Sequence, residues 1–427
     1  MVRSLIIGAA LALSLAAVSA LGEEAAPVPF GQRGLIYELG PKLPEPEKEA
    51  LTDPRFAAAG RYTTARQISA VAAALLIIAA LAALYFSGAG RRLARLGRGR
   101  TFATTLIMAG VVGAAVAVPL LLAAAVRAGF LRAAGGEPSA AVILIAPLCY
   151  GVAAGAFALA VGAARAIWPR TWWIAATFAV VVAAVFWAFL LPLPPITEPS
   201  SPTGGFLLER VQYLSAQYQM PPYKVAVERR PPADEIIASA SSPARRVVVL
   251  SAGAESLGRY EAEVFLAAAV TRAEATRNSL VGAAALIFFM GSLIAADAVA
   301  VALARRRGAD AAAPAGLLPF AAFLVALWSA ALVLCNVWNR HLWLEADEEV
   351  VRLTRKPIAA VTLYYEEARA NLAAAEPNPV LHFLVDAKPS PAERAARARR
   401  LRRELASQYK NAARPSRVRS RRYPPQS

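Results

Sequence analysis

The side chains best suited to bond-making chemistry are scarce in this chain. Among 427 residues there are two histidines, His341 and His382, and two cysteines, Cys149 and Cys335. A zinc-peptidase helix of the pattern H-E-x-x-H places histidines at i and i+4 on one face to hold the metal. The glutamate beside the first is the base for a zinc-bound water. Positions 341 and 382 are far too distant to form that pattern. His341 with Glu274, Glu345 and Asp347 is the one set that would be asked to bind a divalent cation; its bland alternative is a solvated, salt-bridged helix face. Asp297 lies inside a long apolar run, where a carboxylate marks a functional site by default. Arg305, about two helical turns on, offers it a structural pairing near the interface, and that reading is favoured. Both cysteines also lie in apolar runs and read as small core residues rather than a disulfide. The glycines of GAGRRLARLGRGR (88–100) are not a phosphate loop, since no strand precedes them; the stretch reads as a cytoplasmic positive anchor.

The elements that must position these residues are mostly membrane helices. Hydrophobic residues make up 57% of the chain and the mean hydropathy is +0.46, which points to a membrane protein. Apolar runs at 66–87, 102–126, 140–163, 172–194, 280–304 and 316–338 are each long enough to cross about 30 Å of hydrocarbon. Trp168, Trp172, Trp173, Trp338 and Trp343 flank them, as suits the interface. Between the fourth and fifth runs, GFLLERVQYLSAQYQ (205–219) has helical spacing, YKVAVE (223–228) and RRVVVL (245–250) read as strands, and EIIASAS (235–241) offers a third. EVFLAAAVTRAEATRN (263–278) reads as a helix leading into the fifth run. Two more helices are expected at 339–355 and 357–374. The predicted fold is mainly α: a polytopic α-helical membrane protein with six transmembrane helices and a small α+β domain inserted before the fifth.

Residues 1–20 have a positive Arg3, a short apolar core and a small-residue end at Val18-Ser19-Ala20, the pattern of a secretory signal; an uncleaved first membrane helix is the alternative. The net charge is +17. From Lys388 onward, 13 basic residues against 2 acidic ones leave +11, read as a solvated basic tail with anionic lipid as its next partner. Nucleic acid is not expected, because little aromatic is interleaved with the arginines. Arginines crowd the loops 88–101, 164–171 and 305–315, so those loops are placed in the cytoplasm and the 195–279 segment outside.

Several weak motifs, in order along residues 50–400, resemble the type I CAAX prenyl proteases, integral-membrane zinc metallopeptidases. Tyr85-Phe86-Ser87-Gly88 is similar to the turn that closes that family's first helix, and LTDPRFAAAGRYTTAR (51–66) to the lead into it. MPPYKVAVERR (220–230) and RRVVVLSAG (245–253) resemble its strands. The resemblance implies a helix that starts with a glutamate, here Glu263, and carries the zinc histidines at 270 and 274 with the base at 271. The residues there are Val270, Thr271 and Glu274. The third ligand, a glutamate, falls at Trp343 within NRHLWLEAD (339–347), where Arg340 and Asp347 are kept as second-layer candidates. Glu345 is two residues from that position, which on a helix turns it nearly the opposite way. A histidine-proline pair followed by arginine becomes Lys388-Pro389 with Arg394, and the substrate-strand asparagine becomes Ile237.

The reading is therefore a signal peptide or first helix at 1–20, a linker at 21–65, four membrane helices in 66–194, a peptidase-like domain at 195–279 with a degenerate zinc helix at 263–278, two membrane helices in 280–338, C-terminal helices of that domain at 339–387 and a basic tail at 388–427. The chain is expected to be a catalytically inactive relative of these peptidases, without catalytic residues or zinc, in a bacterial inner membrane. It would bind a peptide, a lipid or a partner protein. An active endopeptidase with a non-standard site and a purely structural membrane subunit are the alternatives.

Overall fold

The structure is a computed structural model. It describes residues 54–97, 100–133, 141–168, 171–174, 176–178, 196–197, 209, 212–213, 216, 224–228, 238–240, 247–251, 257–275, 279–308 and 314–412. The expected signal at 1–20, most of the linker and most of the run 172–194 lie outside these residues, as does Ile237.

Five helices are long and apolar enough to cross a membrane among the described residues, spanning Phe56–Phe86, Thr101–Ala133, Ile143–Ile167, Ile287–Arg306 and Pro314–Thr354. They lie within α1 (Pro54–Phe86), α3 (Thr101–Ala133), a π-helical turn (Ala141–Ile145) continuing into α4 (Ala146–Ile167), α6 (Ser279–Arg306), and a short 3-10 turn (Pro314–Gly316) continuing into α7 (Leu317–Thr354). The short α2 (Ala89–Arg95) follows Gly88, whose φ of 75° is the left-handed turn expected from Phe86-Ser87-Gly88. Large apolar side chains such as Val152, Ile287 and Leu334 point outward, each more than two-thirds exposed. On helices of this length that is a lipid-facing surface.

α3 and α4 approach closely because small residues line their seam. A Cβ on Gly113 would lie 2.7 Å from the Gly151 carbonyl oxygen, and one on Gly151 2.6 Å from the Ala117 side chain. Gly113/Ala117 and Gly151/Gly155 are i,i+4 pairs, the small-residue spacing that lets membrane helices meet. The bundle's core joins Leu81, Met108, Val161, Leu293, Leu317 and Phe320.

A second core lies beyond the membrane helices. Four strands, β1 (Ile196–Thr197), β2 (Lys224–Glu228), β3 (Ala238–Ala240) and β4 (Val247–Ser251), form one sheet in the order β1-β2-β4-β3. β2 and β4 are parallel, with Val225 opposite Val248; the outer pairings are antiparallel. The three strands expected from sequence are present, and β1 adds a fourth. α5 (Arg259–Ala275), α8 (Pro357–Ala370), α9 (Pro379–Val385) and α10 (Pro391–Ala412) complete the helices. Leu250, Val264, Leu266, Val350, Tyr364 and Leu401 belong to this core.

Several expectations are corrected. α1 is already helical at Pro54, within the segment 21–65 expected as a linker. The first turns of α1 dock on the second core, with Phe56 edge-on to Tyr365 at 6.4 Å and the Thr63 hydroxyl 3.0 Å from the Ala374 amide. α7 runs unbroken for 38 residues through position 338, where the membrane region was expected to end. The basic tail is helical over Pro391–Ala412. Ser390 and Glu393 exchange backbone bonds of 2.8 and 3.2 Å as a capping box, and Ala395, Ala398 and Leu401 are buried. Cys149 and Cys335 are exposed rather than in the core; a membrane helix shows apolar side chains to lipid, so apolar neighbours do not imply burial. Asp297 pairs with Arg165, not Arg305, and Arg165 also stacks on Trp172 and Phe320 at 4.9 and 4.4 Å. α4 brings that arginine alongside α6, and burial between helices favours a cross-helix partner over a neighbour along the same helix.

Candidate functional site

α5 is buried on every side from Ala262 to Thr271, as its alanine-rich sequence allows. It packs against α7 and α8. Glu263, read from sequence as the start of the zinc-type helix, forms an ion pair with Lys356, whose ammonium also lies 4.3 Å from the Tyr260 ring centre. Val270 is fully buried in the core. Thr271 is buried, and its hydroxyl has no hydrogen-bond partner among the described residues. The side chain of Glu274 lies outside the described residues.

The positions Trp343, Lys388 and Arg394, read from sequence as three separate landmarks, meet in space. The Lys388 ammonium stands 4.8 Å, and the Arg394 guanidinium 5.3 Å, from the Trp343 ring centre. Arg394 donates to both Asp347 oxygens at 2.6 and 3.0 Å, to Glu367 at 2.7 Å, and lies 3.8 Å over the Tyr364 ring. Lys388 pairs with the other Glu367 oxygen. Arg394 is 3% exposed. Burial alone lowers an arginine pKa, but the Asp347 and Glu367 carboxylates more than offset it, so Arg394 is held even more firmly protonated than usual. Two cations thus face two carboxylates, with an indole and a phenol ring closing the sides.

The sequence reading named Asp347 and Arg394 but missed Glu367 and Tyr364. The signal was present: Ala360, Tyr364 and Glu367 are spaced on one helix face, so a glutamate shares the face of buried residues and needs a partner. Arg340, named from sequence alongside Asp347, donates to the carbonyls of His382 and Phe383 at 3.3 Å each, fixing the end of α9 against α7.

A second charge cluster, also missed, surrounds His382. Its Nδ1 is 2.9 Å from Asp386 and its Nε2 is 3.5 Å from Glu393. Burial pushes the imidazole pKa down, but the hydrogen bond to Asp386 and the nearby negative charge of Asp386 and Glu393 raise it to about 9. The neighbouring imidazole of His382, with the Ser390 amide, in turn draws Glu393 down to about 2. Burial would raise Asp386, yet His382, Arg66 and Gln67 hold it below the usual carboxylate range.

Both clusters border a cavity of about 730 Å³ between α1, α7 and the segment 364–394. Val71, Leu75, Ile78 and Leu332 form an apolar part of its wall, while Arg66, Arg127, Lys388 and Arg394 supply charge.

With the geometry in place, likeness to known structures can be assessed. The chain superposes on the crystal structure of Ste24p from S. mikatae with a TM-score of 0.54, at 13% identity, over 93% of this chain and 99% of that one. It has the Ste24p fold. Neither a protein-family model nor a curated protein sequence matches the chain.

The fit of a zinc ion was tested on the donors themselves. Val270 and Trp343 carry no metal-binding atom, and Thr271 offers one hydroxyl where an imidazole pair and two carboxylates would be needed. Among the described residues no group of three or more His, Cys, Asp or Glu is arranged to hold a metal. The set weighed from sequence is divided: His341 and Glu345 pair with each other at 3.1 Å, both more than half exposed, whereas Asp347 is buried against Arg394. The described residues at these positions do not fit zinc.

Proposed function

We propose that this chain is a non-catalytic relative of the type I CAAX prenyl proteases, a membrane protein that uses its cavity for binding. The fold likeness to Ste24p, itself such a protease, supports the relationship. The observation that carries the loss of catalysis is the fate of the histidines. His341 is a surface partner of Glu345, and His382 is locked between two carboxylates on another element; α5 has none. Where the family's third ligand belongs, Trp343 lies against two cations, which repel a metal ion as firmly as the missing donors fail to attract one. The cavity then serves to hold a peptide, a lipid or part of a partner protein.

Elemental analysis of untagged protein, dialysed without chelator, is expected to find far less than one zinc per chain. Stoichiometric zinc together with cleavage of a peptide substrate would overturn the proposal in favour of a working peptidase. The arginine-rich loops further support a bacterial inner-membrane setting with the sheet domain on the extracytoplasmic side. A periplasm-dependent reporter fused after Ala374 should then be active, and one fused at Gly97 silent; the reverse pattern would reject that orientation.

A further inference from the structure

Arg127 has no carboxylate partner among the described residues. It lies on α3, within a membrane-crossing helix, and lines the cavity described above. Its Nε donates 3.2 Å to the Ala123 carbonyl one turn back on its own helix. Among the described residues no carboxylate pairs with it. Tyr62, Arg66 and Tyr150 are within electrostatic reach, and the charged one of these, Arg66, is another cation. Isolated arginines in membrane helices are costly and are retained where they face a partner or a ligand. Here the partner is missing and the cavity is where it would be.

The other charges show what kind of partner would balance the site. Arg66, Arg127, His382, Lys388 and Arg394 line the cavity as cations, His382 being protonated at neutral pH. Glu367 and Asp386 line it as anions, and Asp347 and Glu393 stand directly behind. Five cations against four anions leave one positive charge. Every cation of the five except Arg127 has an ion-pair partner. The remainder of the wall is apolar, from Val71 and Leu75 on α1 to Leu332 and Val333 on α7. At about 730 Å³ the space is that of a single small-molecule site.

We infer that the cavity holds one single-chain lipid with a carboxylate headgroup, a fatty acid, whose counter-ion is the Arg127 guanidinium. The carboxylate supplies the one missing negative charge and accepts from the guanidinium nitrogens that Ala123 does not occupy. The hydrocarbon chain lies along Val71, Leu75, Leu332 and Val333. Occupancy by fatty acid gives the binding role proposed above a ligand class and rests on that reading of the cavity. The two are separable by experiment, because zinc content and peptide cleavage do not report on lipid binding.

The test uses full-length protein in a mild non-ionic detergent and cis-parinaric acid, a fatty acid whose fluorescence rises in apolar sites. Saturable binding of about one molecule per chain is expected. Arg127→Gln should weaken it by about tenfold or more, the scale of a lost charge-assisted hydrogen bond, while Arg127→Lys keeps most of the affinity. Val333→Trp, which fills the apolar end, should abolish binding with Arg127 intact, and serves if the glutamine variant does not fold. A long-chain alcohol of equal length should compete at least tenfold more weakly than oleate. Equal competition by the alcohol, or unchanged affinity in both Arg127→Gln and Val333→Trp, would overturn the inference. Tighter, Arg127-dependent binding of a lysophosphatidate than of oleate would overturn the carboxylate assignment.

Discussion

The two sides of the cavity treat charge in opposite ways. At the Arg394 side, each charge is answered: the guanidinium bonds Asp347 and Glu367, Lys388 meets Glu367, and Tyr364 and Trp343 cover the faces. At the Arg127 side, a guanidinium in a membrane helix meets, among the described residues, a backbone carbonyl of its own turn and no carboxylate. A closed ion cluster holds a fold together and offers little to a ligand. An unanswered charge contributes nothing to stability and is available for binding. On the reading proposed above, the positions that would carry the peptidases' chemistry serve structure in this chain, and the feature suited to recognition lies beside them rather than on them.

The contrast can be broken most directly at Arg394. Arg394→Ala leaves Asp347 and Glu367 buried without their shared partner and should cost about 3–5 kcal/mol, read as a large fall in the midpoint of detergent-solubilised thermal unfolding. If Arg394→Ala is as stable as wild type, the cluster is not structural. A middle-sized effect is expected from pH. His382 has a folded pKa of about 9 against an ordinary 6.5, so its contribution is complete below about pH 6.5 and is lost as pH rises through 9. Glu393, held at about 2 against 4.5, contributes above about pH 4.5 and loses that contribution as pH falls toward 2. Stability should thus be greatest between about pH 4.5 and 6.5 and fall by on the order of 2 kcal/mol by pH 9. A His382→Gln variant should lack that alkaline fall, and an identical fall in both proteins would assign it elsewhere. The smallest effect belongs to Arg127→Gln in lipid-free protein. With no ion pair to lose, its stability should change by less than about 1 kcal/mol; a loss as large as that of Arg394→Ala would erase the distinction between the two sides.

Much of the membrane architecture was legible because lipid makes a simple demand, long apolar helices with small residues where they cross. Gly113 and Gly151 meet that demand in the sequence itself. The strands at 224–228 and 247–251 were legible from their β-branched runs. The Ser390-Pro391-Ala392-Glu393 capping box was also present in the sequence, but the arginines after it obscured the stripe of Ala395, Ala398 and Leu401. Pairings across distant segments were not legible. Nothing local in Arg165 names Asp297 as its partner, and nothing in Lys388 names Glu367 or Trp343. Those choices are made by the packing of helices, and the positions 343, 388 and 394 could be related in advance only through a family resemblance.

The unbroken α7 makes one shaft of parts that the sequence divides. Its 38 residues extend for about 57 Å at 1.5 Å per residue, nearly twice the hydrocarbon thickness of about 30 Å. Leu332 and Val333 touch the cavity, and Trp343 and Asp347 lie on the same rod about 15–20 Å further along. A helix transmits tilt without bending at its middle. A chain wedged against Leu332 would lean the rod, and the arc swept at Asp347 would be carried through Arg394 into α10. On the fatty-acid proposal, occupancy of the cavity and the posture of the sheet domain would be geared to one another by a single axle.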